Sequence, residues 1–151
     1  MKALTLTQPW ATLVAIGAKK IETRGWRTNY RGPLAIHAAK GFPGWAQALC
    51  HKEPFRSALA NVDFLPTGCV LATCDLVGVI PTAWFQRSPV HEWDDPSGRQ
   101  YHYELTKSEM QFGDYSPGRY AWFLDGVRCL DGVESARGAL GLWEWTPTDP
   151  H

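Results

Sequence analysis

An α+β fold, a small mixed β-barrel flanked by short helices, is predicted by three features of this sequence. Most of its patterned segments alternate with the period of two that marks a strand. Only one or two stretches carry the three-and-four spacing of a helix. The strand-like segments lie on both sides of those stretches along the chain, so the β content has to surround them. At 151 residues the chain has the length of one domain with a core of its own, and residues 1–151 are read as a single domain with an irregular insertion at about 86–117.

Taken in order, Lys2–Thr7 (KALTLT) opens the chain as a short strand. Pro9 suits the first helical position, where its missing N–H costs nothing. Trp10, Leu13, Val14 and Gly17 then recur on one helix face, with Gly17 as a left-handed terminator. Lys20–Trp26 reads as a strand in which Ile21 and Thr23 point one way and Glu22, Arg24 and Trp26 the other. Lys19 sits in the turn between, and its flexible stem can swing over the face that carries Glu22 and Arg24. Gly32–Lys40 is a second strand with Leu34, Ile36 and Ala38 opposite Ala35, His37 and Ala39. Residues 41–62 place Trp45, Ala46, Leu49 and Leu59 at helical spacing, with a break near Pro54. Gly68–Ile80 is a nearly continuous apolar run, hence a central strand. Residues 86–117 are charged and rich in turn formers, with at most one short helix starting at the capping box Thr106-x-x-Glu109. RYAWFLDGVRCL and ALGLWEW are two closing strands.

Composition narrows the function classes. With 44% hydrophobic and 20% charged residues the chain is that of a soluble globular protein, and no apolar run approaches the roughly 18 residues of a membrane span. The N-terminal MKALTLTQPW lacks the continuous apolar region of a signal peptide. A cytoplasmic protein with no membrane partner is the expectation. The four cysteines, Cys50, Cys69, Cys74 and Cys129, form no CxxC pair and read as buried free thiols with no metal; in one regular strand Cys69 and Cys74 would point to opposite faces. No GxGxxG, GxSxG, Walker or HExxH pattern is present, so cofactor, serine-hydrolase and zinc-peptidase chemistry have no support and no cofactor is expected. Net charge is zero, but residues 1–40 hold seven Lys/Arg against Glu22 alone, and the remainder eight against fourteen acids. That asymmetry points to an anionic partner met by the basic segment, or to charges that intermix on folding.

The densest chemistry is GAKKIETRGW, where Lys19, Glu22 and Arg24 are gathered by a turn and a strand. A lysine beside a carboxylate can divide proton transfer with it, and an arginine can hold phosphate or carboxylate in bidentate fashion. The alternative is a surface salt-bridge cluster, worth at most about 1 kcal/mol per exposed pair. Among the eight tryptophans, Trp10 is assigned to the core, and Trp122, Trp143 and Trp145 to core or cleft. Trp26, on the face of Glu22 and Arg24, is either a base-stacking ring or a rim residue. Tyr30 and Arg31 in the turn NYRG, and Ser116 and Tyr120 near the other end, are further candidate ligand contacts. His37, among alanines, is read as a satisfied interior histidine.

These residues resemble the ASCH (activating signal cointegrator homology) domain. Its signature GxKxxExR is matched by Gly17, Lys19, Glu22 and Arg24. The QPWA box (Gln8–Ala11), the RGxLxIxA stretch (Arg31–Ala38) and GALGLWEW near the end are also similar, in the right order. The resemblance implies a PUA-like β-barrel flanked by helices, with a cleft lined by the signature residues that binds RNA, single-stranded nucleic acid or a modified nucleoside. Family members vary in activity: some remove the acetyl group of N4-acetylcytidine, one cleaves single-stranded RNA, and the coactivator domain binds nucleic acid. A hydrolase, either ribonuclease or N4-acetylcytidine amidohydrolase with Lys19 and Glu22 as acid/base partners, is therefore the alternative to a binding module. The amidohydrolases use a lysine, a threonine and a glutamate. Lys19 matches the lysine, Glu22 occupies the threonine slot, Thr23 is one residue off and faces away, and Glu53, Glu104 and Glu109 are candidates for the separate glutamate.

Overall fold

The computed structural model describes residues 1–148. In chain order it contains β1 (Lys2–Leu6), α1 (Trp10–Ala15), β2 (Ile21–Arg24), β3 (Gly32–Ala38), α2 (Gly44–Leu49), α3 (Phe55–Ala58), β4 (Cys69–Pro81), β5 (Val90–Asp94), β6 (Gln100–Glu104), α4 (Lys107–Phe112), β7 (Tyr120–Ser135) and β8 (Leu142–Glu144). Six strands form one sheet in the order β2-β7-β4-β3-β1-β8, curled into a half-barrel. β1 and β3 run parallel and the other pairs antiparallel. Parallel pairing needs a crossover, and the crossover from β1 to β3 is the segment that carries α1, β2 and the signature charges.

The curl comes from β4 and β7, long strands of 13 and 16 residues, and from bulges that bend them. Leu71 is the extra residue on β4 where Val70 faces His37 and Ala72 faces Ile36; Val77 is another, between the pairs Leu76–Leu124 and Gly78–Phe123. The Leu71 bulge corrects one expectation. It resets the alternation, so Cys69 and Cys74 enter the same core cluster with Leu71, Ala72 and Leu76 instead of pointing apart. Burial pushes the Cys74 thiol up to about 12, so it stays protonated. Cys129, by contrast with the buried thiol expected, is exposed.

α1 lies against β3, β4 and β7. Ala11 and Val14 enter the main core with Leu4, Leu34, Ile36 and the fully buried Trp122, while Leu13 meets Phe55 and Phe112. Burying Val14 or Leu13 contributes about 1.5–3 kcal/mol each. Gly17 ends the helix at φ +80°, and the Lys19 N–H then closes on Leu13 O at 3.0 Å, turning Lys19 back beneath the start of β2. The helical stretch 41–62 is two short helices, α2 and α3, parted just ahead of Pro54. Trp143 and Trp145 share a face with Ala3, Ala35 and Val70. His37 is buried, with Nε2 2.7 Å from Ala136 O and Nδ1 3.0 Å from Thr5 Oγ1.

The 86–117 segment is not irregular. It contains the β5–β6 hairpin, paired from Val90–Glu104 to Asp94–Gln100, whose Trp93, Tyr101 and Tyr103 pack on Phe123 and Ile21. The alternation of VHEWD and QYHYE is masked in the sequence by the charges of the outer face. α4 follows, N-capped as expected by Thr106 Oγ1, which accepts from Glu109 N at 3.1 Å. Among the described residues no helix is long and apolar enough to cross a membrane.

Candidate functional site

β2 is an edge strand of the half-barrel, paired with β7 so that Glu22 faces Trp122 and Arg24 faces Tyr120. Alternation puts Glu22 and Arg24 on one face, and that face forms the floor of a cleft of about 590 Å³, within the range of small-molecule sites. One wall is aromatic: Trp10 of α1 stands 5.8 Å from Trp45 of α2 and 5.9 Å from Phe55 of α3. The Trp10 indole is fixed by donating to Phe112 O at 2.6 Å, whereas Trp45 is 62% exposed. The end of α4 adjoins that wall through the Trp10 hydrogen bond, and the loop through Asp114 continues the lining, with Arg119 also on the cleft. Thr23, expected to face away, also lines the cleft and holds that loop: its hydroxyl accepts from Asp114 N at 3.1 Å, and Arg119 donates to Thr23 O at 3.3 Å.

Beneath the floor lies Lys19, with no exposed surface. Its ammonium donates to Ile21 O and, at 3.0 Å, to Glu22 Oε1. Glu22 Oε1 also accepts from Thr23 N at 2.9 Å, and Oε2 lies 3.6 Å from the Arg24 guanidinium. A buried ammonium is tolerated only when paired and hydrogen-bonded, and Glu22 is the group that meets this need. The three charges form a chain running from the interior to the cleft, ending on a cation.

Of the eight predicted ligand contacts, Glu22 and Arg24 line the cleft. Lys19 does not swing over the strand face; the turn closed by Leu13 buries it below. Trp26 is half-buried, edge-on to Trp122 at 4.8 Å, and 6.0 Å from the Arg24 guanidinium, so it backs Arg24 and does not face the cleft. Tyr30 donates to Pro33 O, and Arg31 is turned onto Thr28 O and Tyr30 O at 2.9 and 2.8 Å. Ser116 donates to Asp114 Oδ1 at 2.6 Å, behind the loop wall. Tyr120 packs on the main core across the strand from Arg24. None of these last four lines the cleft.

Sequence reasoning missed the walls. Trp45, Phe55 and Arg119 are brought in from distant segments, and no local pattern marks them. Of the three candidate glutamates, Glu53 is on the surface, paired with Arg56 and Ser57, and Glu104 is exposed on β6. Glu109 is buried, and its carboxylate accepts from Lys20 N at 2.6 Å. Its Oε1, like the buried hydroxyl of Tyr115 near it, has no partner among the described residues. Burial raises the Glu109 carboxyl above the usual range, opposed by the Lys20 amide and the Lys19 charge. A carboxyl raised in the folded state favours folding below its unfolded pKa, and that contribution is lost as pH rises through the folded value. Glu109→Gln is therefore expected to gain stability on the wild type between pH 4 and pH 8 in paired urea titrations; a difference that does not change with pH refutes this.

Comparison with known proteins places this geometry. The chain is 33% identical over 87 residues to mouse activating signal cointegrator 1 and 32% identical over 87 residues to the human protein. In each case the match covers 55% of this chain, and the chain spans about 15% of the relative's length. The curled half-barrel with few short helices agrees with the PUA-like fold. The ASCH domain matches residues 4–124, a span that takes in the end of β1, α1, the charge chain of β2, the cleft walls and most of the sheet's core; the chain belongs to the ASCH domain family.

Proposed function

We propose that the cleft binds one unpaired nucleotide of RNA, or a modified nucleoside, with the base against the Trp10–Trp45 wall and Arg24 on a phosphate or base edge. ASCH domains commonly bind nucleic acid. The observation that carries the reading for this chain is a largely exposed tryptophan on the wall of a cleft whose floor ends in a guanidinium. An aromatic face supplies sequence-tolerant stacking and a planar cation supplies anion recognition. With zero net charge, the chain suits a pocket that reads a splayed nucleotide better than a groove that follows a long backbone.

The test is a fluorescence titration of the purified protein with cytidine, N4-acetylcytidine and a single-stranded RNA pentamer. Saturable quenching is expected, salt-dependent for the pentamer. The same mixtures are assayed for acetate release and strand cleavage. Neither is expected, because Lys19 is sealed beneath β2 and is not presented to a ligand. Turnover that disappears in Glu22→Gln replaces the binding reading with the hydrolase one; absence of both quenching and turnover removes both.

A further inference from the structure

A second cavity, larger than the cleft at about 1130 Å³, opens at the end of the sheet where four segments converge. Thr5 comes from β1, His37 and Lys40 from the end of β3, Gly68 from the start of β4, and residues 135–140 from the strap leaving β7. Its wall is built firmly. Trp143 Nε1 donates to Thr5 Oγ1 at 3.0 Å, which leaves the hydroxyl proton for His37 Nδ1, and His37 Nε2 donates to Ala136 O. Gly138 rests directly on this pair: a Cβ there would come within 2.7 Å of both His37 Cε1 and Thr5 Oγ1. His37 is thus committed to the wall at both nitrogens.

What the wall presents is cationic. Among the described residues, Lys40 and Arg137 line the cavity and no Asp or Glu does. Among the described residues neither cation has an ion pair or a side-chain hydrogen bond. The Lys40 stem lies against Gly68 in ordinary van der Waals contact, 3.8 Å from the position a Cβ would take. The amides of residues 137–140 are engaged by no backbone carbonyl among the described residues. Unpaired cations beside free amides are the composition of a phosphate site.

The two cavities are neighbours. Thr5 lines one and Thr7 the other, a separation of about 7 Å in extended chain. The segment joining Lys40 to Trp45 runs between them, tied down by Ala39 N donating to Leu6 O at 2.9 Å. We propose that this second cavity is a phosphate subsite, taking the backbone phosphate of a nucleotide neighbouring the one whose base fills the cleft, between Lys40, Arg137 and the strap amides. This rests on the binding reading above and extends it from one nucleotide to a short single strand.

The test compares wild type with Lys40→Ala/Arg137→Ala, both exposed positions, using anisotropy of a labelled RNA pentamer over a series of KCl concentrations, and fluorescence quenching by cytidine. The pentamer is expected to bind about tenfold more weakly to the double variant. The slope of log affinity against log salt should shrink by about 0.7, the amount carried by one phosphate contact on a single strand. Cytidine binding should not change. Arg87→Ala/Lys107→Ala, which removes the same charge from residues lining neither cavity, should leave the slope nearly intact. If the cavity variant matches the wild type, or the control lowers the slope equally, the subsite is wrong, while cytidine binding in the same series keeps the cleft reading. If the wild type binds neither probe, both fall.

Discussion

Glu22→Ala is expected to lower the free energy of unfolding by about 3–5 kcal/mol, because it leaves the Lys19 ammonium buried without its counter-charge. Lys19 has no exposed surface, and its partners are Ile21 O and Glu22 Oε1. One carbonyl does not compensate a desolvated charge. The loss is greater than that of a surface pair, worth about 0–1 kcal/mol, because neither end of this one is solvated: Glu22 is 6% exposed. The effect belongs to the unpaired cation more than to the lost contact, and a double-mutant cycle separates the two. Lys19→Met/Glu22→Leu should unfold closer to the wild type than Glu22→Ala does, since an apolar pair of similar volume replaces an ion pair at little cost. Chemical denaturation at pH 7 of the single and double variants measures this. A Glu22→Ala protein within about 1 kcal/mol of the wild type would mean that Lys19 is stabilised by something other than Glu22.

That pair also marks the limit of what the sequence makes legible. Glu22 and Arg24 fall on one face because they are two apart in a strand, and Lys19 is near them because a helix terminator precedes it; both facts are local and can be read from spacing. How deep Lys19 lies is not local. It depends on tertiary packing, in which Glu109, whose carboxyl feels the Lys19 charge, is brought in from far along the chain. The cleft was implied by the family signature, yet its aromatic wall is assembled from α1, α2 and α3, and nothing in the spacing of Trp45 ties it to Arg24. The hairpin β5–β6 was hidden because its outward residues are charged, and one bulge at Leu71 sufficed to invert the facing of Cys69 and Cys74. Tyr30 and Arg31 lie outside the cleft for a related reason: a turn places its side chains by tertiary contacts, here Pro33, Thr28 and the backbone of Tyr30 itself.

Arg24→Ala is expected to weaken binding of cytidine 5′-monophosphate by about 10–100-fold, the equivalent of one charge-assisted hydrogen-bonded contact at about 1.5–3 kcal/mol. Folding should be little affected. The Arg24 side chain is 26% exposed, and its ion pair with Glu22 is long at 3.6 Å, so its removal costs at most about 1 kcal/mol; Lys19 keeps its own partner. Binding and stability thus separate at Arg24, whereas at Glu22 they do not, which makes Arg24 the cleaner probe of the cleft. Trp45→Ala removes stacking and should weaken cytidine and its monophosphate alike, by about 1–3 kcal/mol. If Arg24 holds phosphate, its variant instead discriminates: the monophosphate suffers and cytidine hardly changes. If Arg24 reads the base edge, both ligands suffer equally. If Arg24 holds phosphate, the Trp45 and Arg24 losses should add, because ring and guanidinium then act on different parts of one ligand, whereas on a shared base they should couple. Calorimetric titration of the two single variants and the double variant reads all of this, and an Arg24→Ala protein that binds both ligands as the wild type does removes the cation from the site.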